Sequence, residues 1–130
     1  MVKIRNFKDL QIWQLGKEIG LTTYRLTHGF PKSEIFGLSS QMRRSAVSIA
    51  ANIAEGFNRH HNNEYRQFLY IALGSCAELE THVEISRDLE YLDQTTAKII
   101  LEKLDHESRM IRNLVKQLNL TNPASRKTPH

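Results

Sequence analysis

The chain has little cysteine, little proline and no long apolar run, and each scarcity excludes something. Its one cysteine, Cys76, has no partner for an internal disulfide, and zinc-ligand spacing is missing around it. The three prolines are Pro31, Pro123 and Pro129, so residues 32–122 are free of them. A stretch of that length points to helix, because proline breaks helix interiors. No segment reaches the ~20 apolar residues of a membrane span, and Lys3, Arg5 and Lys8 stand near the start without an apolar run behind them. Asn-Gly and Asp-Gly hairpin pairs are missing, as is alternation of strand length. The expectation is an all-α, soluble, cytoplasmic chain without membrane association.

What is there fits one globular domain: 130 residues, 40% hydrophobic and 25% charged. Four helices are expected. The first runs from Phe7 to His28, with Leu10, Trp13, Gly16 or Lys17, Gly20 or Leu21, and Tyr24 at helical spacing, and stops at Gly29 and Pro31. The second runs from Ser33 or Glu34 to Phe57. A third spans Glu64 to Glu90 along Tyr65, Phe68, Leu69, Ala72, Cys76, Leu79 and Val83, with Asn62 or Asn63 as its N-cap. The fourth spans Gln94 to Leu118, with Asp93 as N-cap and Ile99, Leu101, Leu104, Ile111, Leu114, Val115 and Leu118 as its apolar series. Short connections between long helices predict an antiparallel up-down-up-down four-helix bundle over residues 1–118, left-handed, with a flexible tail over 119–130. Its core is expected to hold Trp13, Leu38, Met42, Ile49, Ile53, Leu69, Leu79, Leu104 and Ile111.

The second helix is unusual. From Ser45 to Ala54 it carries no charge and mostly small side chains, whereas a surface helix keeps a polar face. Cover on a second face predicts self-association, against the alternative of deeper burial within its own bundle. Charge is uneven too. Residues 1–32 hold six Lys/Arg against two Asp/Glu, residues 62–92 two against six, and residues 93–130 seven against four. The basic first and last segments offer surface to a polyanion.

Catalytic patterns are weak. No glutamate has a histidine three residues on, as a bundle di-metal site needs; Glu78/His82 and Glu102/His106 are four apart. Cys76 falls on an apolar stripe, and neither a nucleophile elbow nor a glycine-rich phosphate loop is present. The expectation is therefore no catalytic residue, no metal and no cofactor.

A polar set remains around the second helix. Arg43 and Arg44 precede the uncharged run, and Asn52, Glu55 and Arg59 follow it. Two readings stay open for the arginines: pairing with Glu78 or Glu80 on the third helix, or facing a phosphate. Adjacent helical residues point ~100° apart, so a split of roles is expected. The candidate nucleic-acid contacts are Arg43, Arg44, Arg59 and His60, with Lys8, Lys17 and Arg25 of the basic first segment; Asn52, Glu55, Glu78 and Glu80 form the candidate structural network.

The stretches Phe7-Lys8-Asp9-Leu10 with Trp13, Phe30-Pro31, Gly37-Leu38, Gln41 through Ile49 and Asn52-Ile53-Ala54-Glu55-Gly56 resemble the 23S rRNA intervening-sequence protein family. Phe68-Leu69, Glu78-Leu79-Glu80 and Tyr91-Leu92 continue the match. The resemblance implies a small bacterial four-helix bundle forming a ring-like homopentamer, non-enzymatic, and associated with rRNA or other structured nucleic acid. Related accessory variability proteins of diversity-generating retroelements imply an alternative, an interaction scaffold partnering a reverse transcriptase.

Overall fold

A computed structural model describes residues 4–120, which form four helices. These are α1 (Gln11–His28), α2 (Leu38–Phe57), α3 (Asn62–Asp88) and α4 (Gln94–Leu120). Helix α4 runs two residues past the expected end, and the rest of the expected tail, 121–130, lies outside the described residues. Two expected starts are corrected. Residues Phe7–Asp9 form a separate 3-10 turn, closed by Asn6 Oδ1 accepting from the Lys8 amide at 2.9 Å, and Leu10 is extended before α1 begins. Residues Lys32–Glu34 form a second such turn, so α2 begins only at Leu38, whose amide donates to Glu34 Oε1 at 3.1 Å.

The other ends follow from capping. Asp93 Oδ1 accepts the Thr96 amide at 2.7 Å, the expected N-cap, and this bond lowers its pKa. His61, not Asn62 or Asn63, occupies the cap position of α3, and Asn62 is buried in its first turn. Helix α3 closes at Asp88 rather than Glu90. Glu90 lies in the left-handed region at φ 65°, with its amide on the Arg87 carbonyl and that of Tyr91 on the Ser86 carbonyl. This is a Schellman closure made without the usual glycine.

Each helix packs on the next, and α4 returns to α1, so the bundle closes in chain order. The running is antiparallel: late α1 meets early α2 at Thr27 and Arg43, and mid α2 meets mid α3 at Ser48 and Ser75. Of the expected core, Met42, Ile49, Ile53, Leu69, Leu79, Leu104 and Ile111 are fully buried, but Trp13 and Leu38 are only partly so. Trp13 sits on a flank, edge-on to Phe7 at 5.4 Å, and Leu38 is the first residue of its helix. Helix α1 turns inward along Ile12, Gly16, Ile19, Gly20, Thr23 and Thr27, leaving Tyr24 half-exposed. In α4, Ile100 is buried and Ile99 exposed, the reverse of the expected assignment.

One layer departs from an apolar core. Glu107 of α4 is 0% exposed, and neither carboxyl oxygen has a hydrogen-bond partner. It points at Gly16 of α1, where an added Cβ would stand 2.9 Å from Glu107 Oε2. Burial pushes its pKa up to about 8 from an ordinary 4.5, so the acid is neutral at pH 7. The folded state therefore holds a proton that the unfolded chain releases above pH 4.5. The contribution of Glu107 to stability should be fully present below that value, fall by at most about 1.4 kcal/mol per pH unit up to about pH 8, and level off above. Urea unfolding across this range checks the slope, and Glu107→Gln, which keeps the shape without the titration, is expected to flatten it.

Candidate nucleic-acid interface

Met42 and Ser45 face the core, so the two residues between them emerge on different sides of α2. Arg43 leans toward α1. Its Nε donates to Thr27 Oγ1 at 2.8 Å, and its guanidinium carbon stands 4.8 Å from the centre of the Tyr24 ring. Thr27 is itself oriented, since its hydroxyl donates to the Thr23 carbonyl at 2.8 Å. Nε and the ring plane fix the guanidinium, while its two terminal nitrogens make no bond to the protein among the described residues. Arg44 is exposed beside it.

With Tyr24, Ser40, Val47 and Ser48 these arginines line a shallow groove of about 440 Å³. Ser48 is anchored from behind. Its Oγ accepts from Asn52 Nδ2 and from Ser75 Oγ, each at 2.8 Å, and Asn52 also donates to the Ser48 carbonyl. Two donors on one hydroxyl oxygen leave its own proton free to donate outward. The α1 and α2 stretches that line the groove are rich in basic residues. Between residues 21 and 48 lie Arg25, Lys32, Arg43 and Arg44 against a single acid, Glu34. Glu34 is engaged elsewhere, capping α2 and accepting from the Tyr91 hydroxyl at 3.0 Å, a bond that raises the tyrosine's pKa. The groove thus presents guanidinium forks and a hydroxyl, with an aromatic ring beside them that holds the Arg43 guanidinium.

The other expected contacts do not gather here. Arg25 shares this end of the bundle, exposed next to Tyr24 in the chain. Lys17 stands mid-helix over Trp13, with Nζ 5.5 Å from the ring. Lys8, Arg59 and His60 lie at the opposite end, where α1 begins and α2 stops. Arg59 pairs with Glu55 at 2.9 Å and stacks over Phe68 at 5.0 Å. The expected acidic network is not assembled. Asn52 supports Ser48, Glu55 holds Arg59, and Glu78 and Glu80 are exposed on α3 without an ion pair to Arg43 or Arg44. The reason is direction: Arg43 turns to α1, on the other side of α2 from α3. Sequence reasoning missed Tyr24, Thr27, Ser40, Val47, Ser48 and Ser75. The signal was faint, resting on which face Gly16, Gly20 and Thr23 turn inward.

Among the described residues no three His, Cys, Asp or Glu converge to hold a metal, and no helix is long and apolar enough to cross a membrane. Cys76 is buried, and burial pushes its thiol up to about 11.

A family model described as 23S rRNA-intervening sequence protein matches residues 8–113. No curated protein matches the chain. Among solved structures, a protein of unknown function from the S23 ribosomal protein family of Bacteroides thetaiotaomicron is similar at a TM-score of 0.74 and 22% identity. The match covers 81% of this chain and 98% of that one. At that identity the likeness is one of fold.

The two arginines are expected to respond differently to removal. Arg43→Ala loses the bond to Thr27 and the contact with Tyr24 and should cost about 1–2 kcal/mol of stability. Arg44→Ala should stay within about 0.5 kcal/mol of the parent. Thermal melting of the two variants checks this, and equal shifts would contradict the geometry.

Proposed function

The chain belongs to the 23S rRNA-intervening sequence protein family, and from this premise we propose that it is a non-catalytic protein that associates with rRNA or other structured RNA through the phosphate backbone. The observation that carries this reading is Arg43, held rigid by Thr27 and Tyr24 with its fork open to the groove beside Arg44. An arginine oriented before the ligand arrives loses little freedom on binding, which favours affinity at a given number of contacts. Cofactor and metal have no part in the proposal. Purified protein should retain rRNA fragments in a salt-sensitive way. Affinity should fall by about 10³–10⁵ from 50 to 200 mM salt if roughly 6–10 phosphates are engaged. Retention of a polypeptide such as a reverse transcriptase, with no RNA, would favour the scaffold alternative instead.

A second reading, self-association into a ring-like homo-oligomer, has its own observation. The outward faces of α2 and α3, beyond the groove, carry Ala51, Ile71 (51% exposed) and Gly74, and a Cβ at Gly74 would meet nothing within 4 Å. Apolar and small residues on a solvent face suit close approach by another helix. The pentamer is the proposed number, on family grounds. Multiplying the groove around a ring would add avidity to each weak phosphate contact. Sedimentation at micromolar concentration should give a mass several times 15.1 kDa, and Ile71→Glu should lower it; a parent mass of one chain would remove this reading.

A further inference from the structure

We propose that the groove lined by Tyr24, Arg43, Arg44, Val47 and Ser48 is a preformed site for one unpaired nucleotide of an RNA strand, taking the base as well as its phosphate. This rests on the RNA-binding reading above and narrows it. A site for phosphate alone needs exposed cations and little else. This one adds two features that a phosphate does not use, and a hydroxyl that either a base or a phosphate can take. The Tyr24 ring is 48% exposed and carries the Arg43 guanidinium against it, with the guanidinium plane steadied through Nε. Aromatic rings and guanidinium planes are the surfaces on which unstacked bases rest. Val47, half-exposed between the two arginines and Ser48, offers an apolar floor. Ser48, with both donors of Asn52 and Ser75 already on its oxygen, keeps an outward donor for a base acceptor or a phosphate oxygen.

A duplex does not fit this set. Its phosphates lie outermost and its bases are stacked on each other, so the ring and the apolar floor would stay unused. In a loop, bulge or strand end the base is free to turn into the groove while Arg44 and the open fork of Arg43 hold its phosphate. The specificity expected is for unpaired over paired RNA, with modest preference among bases, because every base has a stacking face.

The experiment is fluorescence anisotropy with three labelled probes of equal length: a single-stranded RNA, the blunt duplex with its complement, and the same strand with abasic riboses. The parent protein should bind the single strand about tenfold to a hundredfold more tightly than the other two, the equivalent of stacking one base. Tyr24→Leu, which removes the stacking ring and one of the two supports of Arg43, is expected to weaken the single strand far more than the duplex and so to abolish that preference. Ser48→Ala removes the hydroxyl donor, together with the acceptor used by Asn52 and Ser75, and should weaken the single strand several-fold. Equal binding of all three probes by the parent overturns the nucleotide site and leaves general RNA binding standing. Binding of none at low salt overturns both. A preference retained in Tyr24→Leu and Ser48→Ala together places the recognition elsewhere and overturns the assignment.

Discussion

The close approach of α2 to both its neighbours is the constraint on which the rest of the molecule depends. It is set by residues with little side chain. A Cβ at Gly16 would stand 3.3 Å from Ile49 Cγ2 and 3.4 Å from Ala50 Cα, so α1 and α2 meet nearly backbone to backbone there. On the other side, a Cβ at Gly56 would come 2.8 Å from Phe68 Cβ and 3.2 Å from the Tyr65 carbonyl oxygen. Short separations of this kind let short side chains span between helices. Ser48 reaches Ser75 directly, and Ser86 Oγ, which donates to the His82 carbonyl, stands 3.4 Å from the Met42 sulfur. The same proximity brings Thr27 within reach of Arg43 Nε. With larger residues along the seam the helices would stand further apart, and the arginine would lose the hydroxyl that orients it.

That closeness has a counterpart in the mid-bundle layer. Gly16 leaves space in α1, and Glu107 of α4 turns its carboxyl into it. An apolar side chain in that place would satisfy the core better, since burial of an unpartnered polar group is costly even when it is neutral. The arrangement is kept from being worse by protonation, which removes the charge and not the polarity. Cys76, in the layer alongside, is raised by burial first and by the neighbouring Glu107 among the lesser causes. Two acidic groups held neutral in one layer interrupt the apolar middle of the bundle.

Much of the fold was legible because helix period and chain breaks are strong signals. Gly29 with Pro31 ends α1, Asp93 starts α4, and the apolar stripe of α3 from Tyr65 to Val83 is inward as expected apart from Phe68, which is half-buried under Arg59. The failures share a cause. Where the inward residues are small or polar, hydrophobicity reports the wrong phase. In α1 the larger Trp13 and Tyr24 pull the stripe sideways, so that Gly16 stays open against Lys17, Gly20 against Leu21, and Thr23 goes unassigned. In α4 the inward series passes from Leu104 through Glu107 to Ile111, and a glutamate gives no warning that it is buried. The site suffered from the same error. With Tyr24 assigned inward, no aromatic was available to the arginines, and Glu78 and Glu80 were left as their nearest imaginable partners.

The division expected between Arg43 and Arg44 is present, but along another line. The sequence places one arginine in an acidic network and the other toward solvent or a subunit neighbour. The geometry gives Arg43 a structural contact and an uncommitted fork at once. Its Nε and its ring contact belong to the α1–α2 seam, while its terminal nitrogens face the groove. A guanidinium allows this because its donors point along different edges of one plane; a lysine ammonium, with one compact donor group, would have to choose. Pairing with a glutamate would have occupied the fork and neutralised its charge. A neutral hydroxyl and an aromatic face hold the side chain in place and leave the charge intact. Thr27 and Tyr24 are therefore better supports for an anion-binding arginine than either acid of α3 would have been.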